Sequence, residues 1–296
     1  MAWVDWLLNL SCLLLGVGAW LGRSQWCRQL VVAKLAGTLR VVETPWIRPC
    51  VLVGGMFGLL LVRAWWAWCA GNWSVWTPQV DLGVLRVSFP PTPGWPGLTL
   101  ASVYAGLSFA ALAVGFWFWM LLLSSLGRGL LEHNALYPLI QRCALLPLRW
   151  SFGARLGLAW ALIGLAWMGV EPWMAKLGLV PEPLPWPWRG WQAGILSLGA
   201  CLSWKPLLVA VLLAYWVNLY IYMGSHPLWD LVARVGRRLT MPLRKLPCRF
   251  MRLDLVPPCM AGCFWGLAWV LEHGVDLPRM ARRLPGLTEL YHWCAR

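Results

Sequence analysis

Long apolar runs recur along this chain, broken by short polar stretches. Reading for segments with at most one charge marks 6–22, 49–69, 99–126, 151–170, 204–224 and 255–271. A helix needs roughly 20 mainly apolar residues to cross the hydrocarbon core of a bilayer. The pattern therefore predicts six transmembrane helices, grouped in pairs by the shorter segments 23–48, 127–155 and 230–254. In the last pair Leu228, Leu231, Val232, Val235 and Leu239 recur at helical spacing, while Arg234, Arg237 and Arg238 fall off that stripe. This predicts an amphipathic helix in the headgroup plane, its stripe at the acyl boundary and its arginines on lipid phosphates, each basic contact worth roughly 1 kcal/mol.

The three intervening segments resemble one another. Val31-Val32-Ala33-Lys34-Leu35, Leu139-Ile140-Gln141-Arg142-Cys143 and Leu231-Val232-Ala233-Arg234-Val235 each set a basic residue at the same step of an apolar pattern. Each is followed by a proline-basic step: Pro45 to Arg48, Pro147-Leu148-Arg149 and Pro242-Leu243-Arg244. Pro242 is expected to end its helix by removing a backbone donor and to turn the chain toward the next span. The expected fold is thus all-α, a polytopic membrane protein of three repeats, each a span, an in-plane amphipathic helix and a span. The units are 1–70, 99–170 and 204–272, joined by Pro/Trp-rich loops at 71–98 and 171–203 and followed by an amphipathic basic tail, 273–296.

Composition agrees with a bilayer setting. Of 296 residues 60% are hydrophobic and 12% charged, and the mean hydropathy is +0.62; a soluble domain carries about 25% charge. Of the 26 Trp, Trp3, Trp6, Trp20, Trp65, Trp66, Trp68, Trp73 and Trp76 cluster around the ends of apolar runs, where an amphipathic indole anchors at the interface. Lys and Arg number 25 against 11 Asp and Glu, and most of this excess lies in the three intervening segments. Positive residues mark cytoplasmic loops, so these segments are read as cytoplasmic, both termini as external, and nucleic acid is set aside as a partner. No basic residue precedes the first apolar run, which is therefore expected to be retained as a span. Pro90 to Pro96 and Pro181 to Trp188 are expected to be extended rather than helical, since alternate residues lack an amide hydrogen; Val84 to Phe89 reads as a short extended piece. Arg63, Arg155 and Lys205, the charges in or beside spans, are read as stems snorkelling along lipid.

Catalytic patterns are scarce. No Walker, GxGxxG, HExxH or GxSxG pattern occurs, and the ten cysteines contain no CxxC pair. Val53 to Gly58 reads as close helix packing inside a span rather than a phosphate loop. His133 and His226 at one membrane face are a minor haem alternative to a reading with no cofactor and no metal. Asp254, just before Pro257 and Pro258, is expected to accept backbone hydrogens at the first turn of the last span and to pair with an arginine. The residues expected to meet anionic lipid or a partner are Lys34, Arg142, Arg149, Arg234, Arg237, Arg238, Arg244 and Lys245; those expected to shape the turns are Pro45, Pro147, Pro242 and Asp254.

The stretch from His226 to Leu271 resembles the YggT/YlmG family of small bacterial and plastid membrane proteins. Pro242-Leu243-Arg244-Lys245 matches that family's Pro-Leu-Arg-Pro-Ile-Arg-Arg motif in part, and Leu253-Asp254-Leu255 with Pro257 matches its Leu-Asp-Leu-Ser-Pro. The middle unit lacks the second motif, and the first keeps only the proline-basic step. The resemblance implies a bacterial inner-membrane location and a non-enzymatic role in organising or assembling a membrane complex with other integral proteins, or in osmotic tolerance. The runner-up is a channel or transporter for ions or small solutes, for which the spans offer few ionisable groups beyond Arg63.

Overall fold

The computed structural model describes residues 2–22, 49–73, 76–127, 134, 136–145, 150–180, 185–221, 224, 226–241, 249–250, 253–277 and 282–294. The described chain is mostly helical, with three small two-stranded antiparallel sheets. It divides into two compact units: Met1–Asp81 with Arg86–Val114, and Leu82–Leu85 with Gly115–Arg296.

In the first unit α1 (Ala2–Gly22) and α2 (Pro49–Trp73) pack along each other. The helices approach closely because their facing positions are small. A Cβ on Gly16 would lie 3.2 Å from Met56 Sδ, and one on Gly55 would lie 3.6 Å from Leu15. Within an apolar medium such small-residue contacts, rather than exclusion of water, hold helices together. Of the glycines expected to serve close packing, Gly55 alone meets a partner; Gly54 and Gly58 face open space. Strands β1 (Gln79–Asp81) and β2 (Arg86–Ser88) pair antiparallel, with Val80 opposite Val87 and both buried. They are followed by α3 (Trp95–Leu126), which contributes its first part to this unit and its last part to the second.

The second unit adds α4 (Tyr137–Ala144), α5 (Phe152–Lys176), α6 (Trp186–Cys201), α7 (Trp204–Tyr220), α8 (Pro227–Thr240), α9 (Val256–His273) and α10 (Leu287–Cys294). Strands β3 (Arg249–Phe250) and β4 (Leu253–Asp254) precede α9; β5 (Gly274–Leu277) and β6 (Arg282–Pro285) follow it. Helices α5 and α6 cross where Gly164 meets Ala193 and Ser197, and Trp160 Nε1 donates to the Gly194 carbonyl at 3.0 Å. Helix α8 lies on α7 with Gly236 directly against the Tyr215 ring, leaving no room for a Cβ.

Three expectations are corrected. Segment 171–203 is not a loop: α5 runs on to Lys176 and α6 fills 186–201. Pro187 occupies the first turn of α6 and Pro96 that of α3, where a missing amide hydrogen costs no helical bond. Helix therefore begins at Trp95 and at Trp186, inside the two stretches expected to be extended, and residues 181–184 lie outside the described residues. The tail contains the β5–β6 hairpin as well as a helix, and Leu287 and Tyr291 of α10 are buried. Among the described residues five helical stretches are long and apolar enough to cross a membrane: Trp3–Trp20, Pro49–Gly71, Trp95–Leu126, Phe152–Lys176 and Trp186–Tyr220. The last joins α6 and α7. Helix α9, expected as the sixth span, is not among the five; its 18 residues include Pro257-Pro258 near the start and Glu272-His273 at the end, which lower its mean hydropathy.

Candidate functional site

The arginine-rich helix α8 starts at His226, whose Nδ1 accepts from the Leu228 amide at 3.3 Å. That cap accounts for His226 as an ordinary helix start. Asp230 sits in the first turn and Arg237 and Arg238 in the last, so the charges follow the helix dipole. Arg234 Nε donates to Asp230 Oδ1 at 2.8 Å across one turn.

Beyond Leu228, which is exposed, the apolar stripe of α8 faces protein rather than lipid. Leu231 and Val235 are buried against Leu123 of α3, Tyr137 and Ile140 of α4, and Val211 of α7. The sequence pattern marks a half-apolar helix but is silent on what covers it, and here α3, α4 and α7 do. Asn134 locks the joint: its Nδ2 donates to the Pro227 carbonyl and to Asp230 Oδ2, both at 2.9 Å, while its Oδ1 accepts from the Leu136 amide at 2.9 Å. The amphipathic helices of the second and third predicted repeats therefore pack together. On the outward side Arg237 and Arg238 are exposed, as is Arg142 of α4. Arg238 Nη1 donates at 2.7 Å to the carbonyl of Leu126, the last residue of α3. Cys143 turns inward from α4, and burial pushes its thiol pKa up.

Asp254 joins β4 to α9. Its Oδ1 accepts from the Val256 amide at 3.0 Å, its own amide donates to Tyr220 Oη at 2.6 Å, and its carbonyl accepts from Trp216 Nε1 at 2.9 Å. Lys34, Arg149, Arg244, Lys245, Pro45, Pro147 and Pro242 lie outside the described residues, as does His133. Among the described residues no three His, Cys, Asp or Glu gather as metal ligands would.

Sequence reasoning missed the polar network inside the first unit. Arg63, fully buried in α2, meets Asp5 of α1 in a two-pronged pair: Nε to Oδ1 at 2.6 Å and Nη2 to Oδ2 at 2.9 Å. It also donates to Ser108 Oγ at 2.8 Å and to the Ala105 carbonyl at 3.2 Å, while Tyr104 Oη donates to Asp5 Oδ2 at 2.7 Å. Asn9 Nδ2 extends the chain to Ser108 Oγ at 3.3 Å, and Asn9 Oδ1 is buried without a partner. Arg63 is therefore not a stem in lipid. Its charge is met by a carboxylate because an unpaired charge in hydrocarbon is far costlier than a paired one.

The other span charges are corrected likewise. Lys205 Nζ reaches both carboxylate oxygens of Glu272 at 2.9 Å. A third pair joins α5 to α6, with Arg189 Nε on Glu171 Oε2 at 2.7 Å. Arg155 is 2% exposed and touches Ser124 Oγ at 3.4 Å. One signal for these pairs was visible in the sequence: Asp5, Glu171 and Glu272 are rare acids at or within apolar runs, but nothing in a one-dimensional pattern says which base each meets.

Five helical stretches of bilayer length, their exposed tryptophans and leucines, and the three ion pairs held at or within them mark a helical integral membrane protein. No family model, no curated protein and no solved structure matches the chain.

Proposed function

We propose that this is a non-enzymatic, YggT-like organising subunit of a membrane complex, which presents a basic face to anionic headgroups or to an acidic partner. In this reading the chain has six spans in three repeats, α9 being the last span, and sits in a bacterial inner membrane with the basic segments cytoplasmic. The observation that carries it is α8: Arg237 and Arg238 are exposed while Leu231, Val232 and Val235 are buried in the protein. A helix anchored by its apolar side on α3, α4 and α7 holds its arginines in a fixed array, which costs less ordering entropy on docking than a mobile basic loop would. The motif residues Leu253, Asp254 and Pro257 support the family likeness, since Asp254 opens α9. Co-purification from native membranes in mild detergent tests the reading: a stoichiometric membrane-protein companion is expected, and its absence together with no preference for anionic lipid would sink it.

The transport alternative keeps one specific observation, the buried Asp5–Arg63–Tyr104 network inside the spans. It predicts saturable flux in liposomes holding the pure protein alone, abolished by Arg63→Gln.

A further inference from the structure

Two arginines are buried among the described residues, Arg63 and Arg155, and the protein treats them differently. Arg63 has Asp5; Arg189 and Lys205, partly buried, have Glu171 and Glu272. Among the described residues Arg155 has no carboxylate within ion-pair distance. It receives one contact, Ser124 Oγ at 3.4 Å, and its Nε is buried with no partner at all. A neutral hydroxyl at that distance does not offset a buried guanidinium, whose desolvation costs several kcal/mol.

The surroundings favour a negative ligand. Arg155 lies in the opening turns of α5, where Ser151 Oγ accepts from the Ala154 amide and leading amides carry the positive end of the helix dipole. Side chains of a helix tilt toward its N-terminus, so the guanidinium and the amide end lean the same way. Ser124 lies in the last turn of α3, and two residues further on the Leu126 carbonyl receives Arg238. The Ser124 hydroxyl now donates to the Leu121 carbonyl at 2.8 Å and becomes a donor to a ligand by rotating. A guanidinium edge offers parallel N–H groups that match a phosphate oxyanion.

We propose that Arg155 and Ser124 form a binding site for a phosphate oxyanion between the start of α5 and the end of α3, supplied by a phospholipid headgroup or by inorganic phosphate. The start of α5 and the end of α3, both ends of candidate spans, set it at headgroup level.

The test uses the full-length, delipidated protein in detergent, titrated with phosphatidylglycerol, with diacylglycerol of the same chains, and with inorganic phosphate, read by native mass spectrometry and melting temperature. Phosphatidylglycerol should bind at least tenfold more tightly than diacylglycerol, and Arg155→Gln should remove that preference while Arg86→Gln, on the exposed hairpin, leaves it intact. If inorganic phosphate competes and raises the melting temperature, free phosphate is a ligand; if the lipid alone binds, the headgroup is. Equal binding of the two lipids with no effect of phosphate, or a preference that survives in Arg155→Gln, overturns the proposal. Should Arg155→Gln fail to fold, Ser124→Ala carries the test, with at least a threefold loss expected and an unchanged preference counting against the site.

Discussion

Arg63 and Asp5 lie 58 residues apart in sequence and meet inside the first unit through two hydrogen bonds, at 2.6 and 2.9 Å. Because Arg63 is fully buried, removing Asp5 leaves a charge with no bulk water to solvate it. Asp5→Asn or Arg63→Gln should each destabilise the protein by about 3–5 kcal/mol, the cost of breaking a buried pair. The double variant should lose less than the two single losses combined, because neither charge then remains alone. Denaturant unfolding in a fixed detergent measures this; strictly additive losses would mean that the two residues are not coupled.

The apolar runs made the helices legible, because a run of about 20 residues leaves few options in a bilayer. What crosses between runs was not legible. Arg63 looks from sequence like any arginine near a span end, and its partner Asp5 sits at the far end of another helix. Helix α6 was hidden by Pro185 and Pro187, which read as extended-chain markers although Pro187 is a good first-turn residue. Helix α8 was visible from its period, but the same period fits burial in lipid or in protein. Only the contacts with Leu123, Tyr137, Ile140 and Val211 decide between them.

Gly236 gives α8 its close seat on α7. An added methyl would run into the Tyr215 ring near its Cγ, which is tethered to the backbone and has little room to move. Gly236→Ala should cost about 1–3 kcal/mol through overpacking despite the better helix propensity of alanine. Tyr215→Ala in the same background should recover part of the lost melting temperature; no recovery would place the strain elsewhere.

Tyr291 in α10 is buried, and that burial, reinforced by the negative charge of Glu171, pushes its phenol pKa up to about 12. The folded value lies above the unfolded value of about 10. The folded state is therefore not penalised below pH 10 and loses stability as pH rises from 10 to 12. Melting temperatures measured across that window should fall more steeply for the native protein than for Tyr291→Phe. Parallel curves would show that Tyr291 ionises as freely in the folded state as in the unfolded one.

Orientation can be tested at two exposed sites. The positive-inside reading of the basic segments, carried into the proposed function, predicts α8 on the cytoplasmic side and the β1–β2 hairpin outside. In a background with the exposed Cys50, Cys259 and Cys263 replaced, a cysteine at Gln79 should react with an impermeant reagent in intact cells. One at Arg237 should react only after the cells are opened. The reverse pattern would invert the topology.

Arg237 and Arg238 should set the affinity for whatever docks on α8. Because Leu231, Val232 and Val235 are packed inside the protein, an isolated peptide would expose a surface that the native chain hides, so the full chain is the proper reagent. Arg237 makes the cleaner substitution, since Arg238 also holds the end of α3 through the Leu126 carbonyl. Replacing Arg237 with Gln should weaken salt-sensitive capture of the co-purifying partner, or of anionic vesicles, about fivefold, in keeping with roughly 1 kcal/mol per basic contact near an anionic surface. Adding Arg238→Gln should weaken it further and lower the melting temperature slightly, a loss the first variant alone should not show. Screening predicts the same direction with rising ionic strength, as the Debye length shrinks from about 10 Å at 0.1 M to about 3 Å at 1 M. Capture that is indifferent both to salt and to the two substitutions would remove α8 as the docking face and leave the buried Asp5–Arg63 network as the better place to look for function.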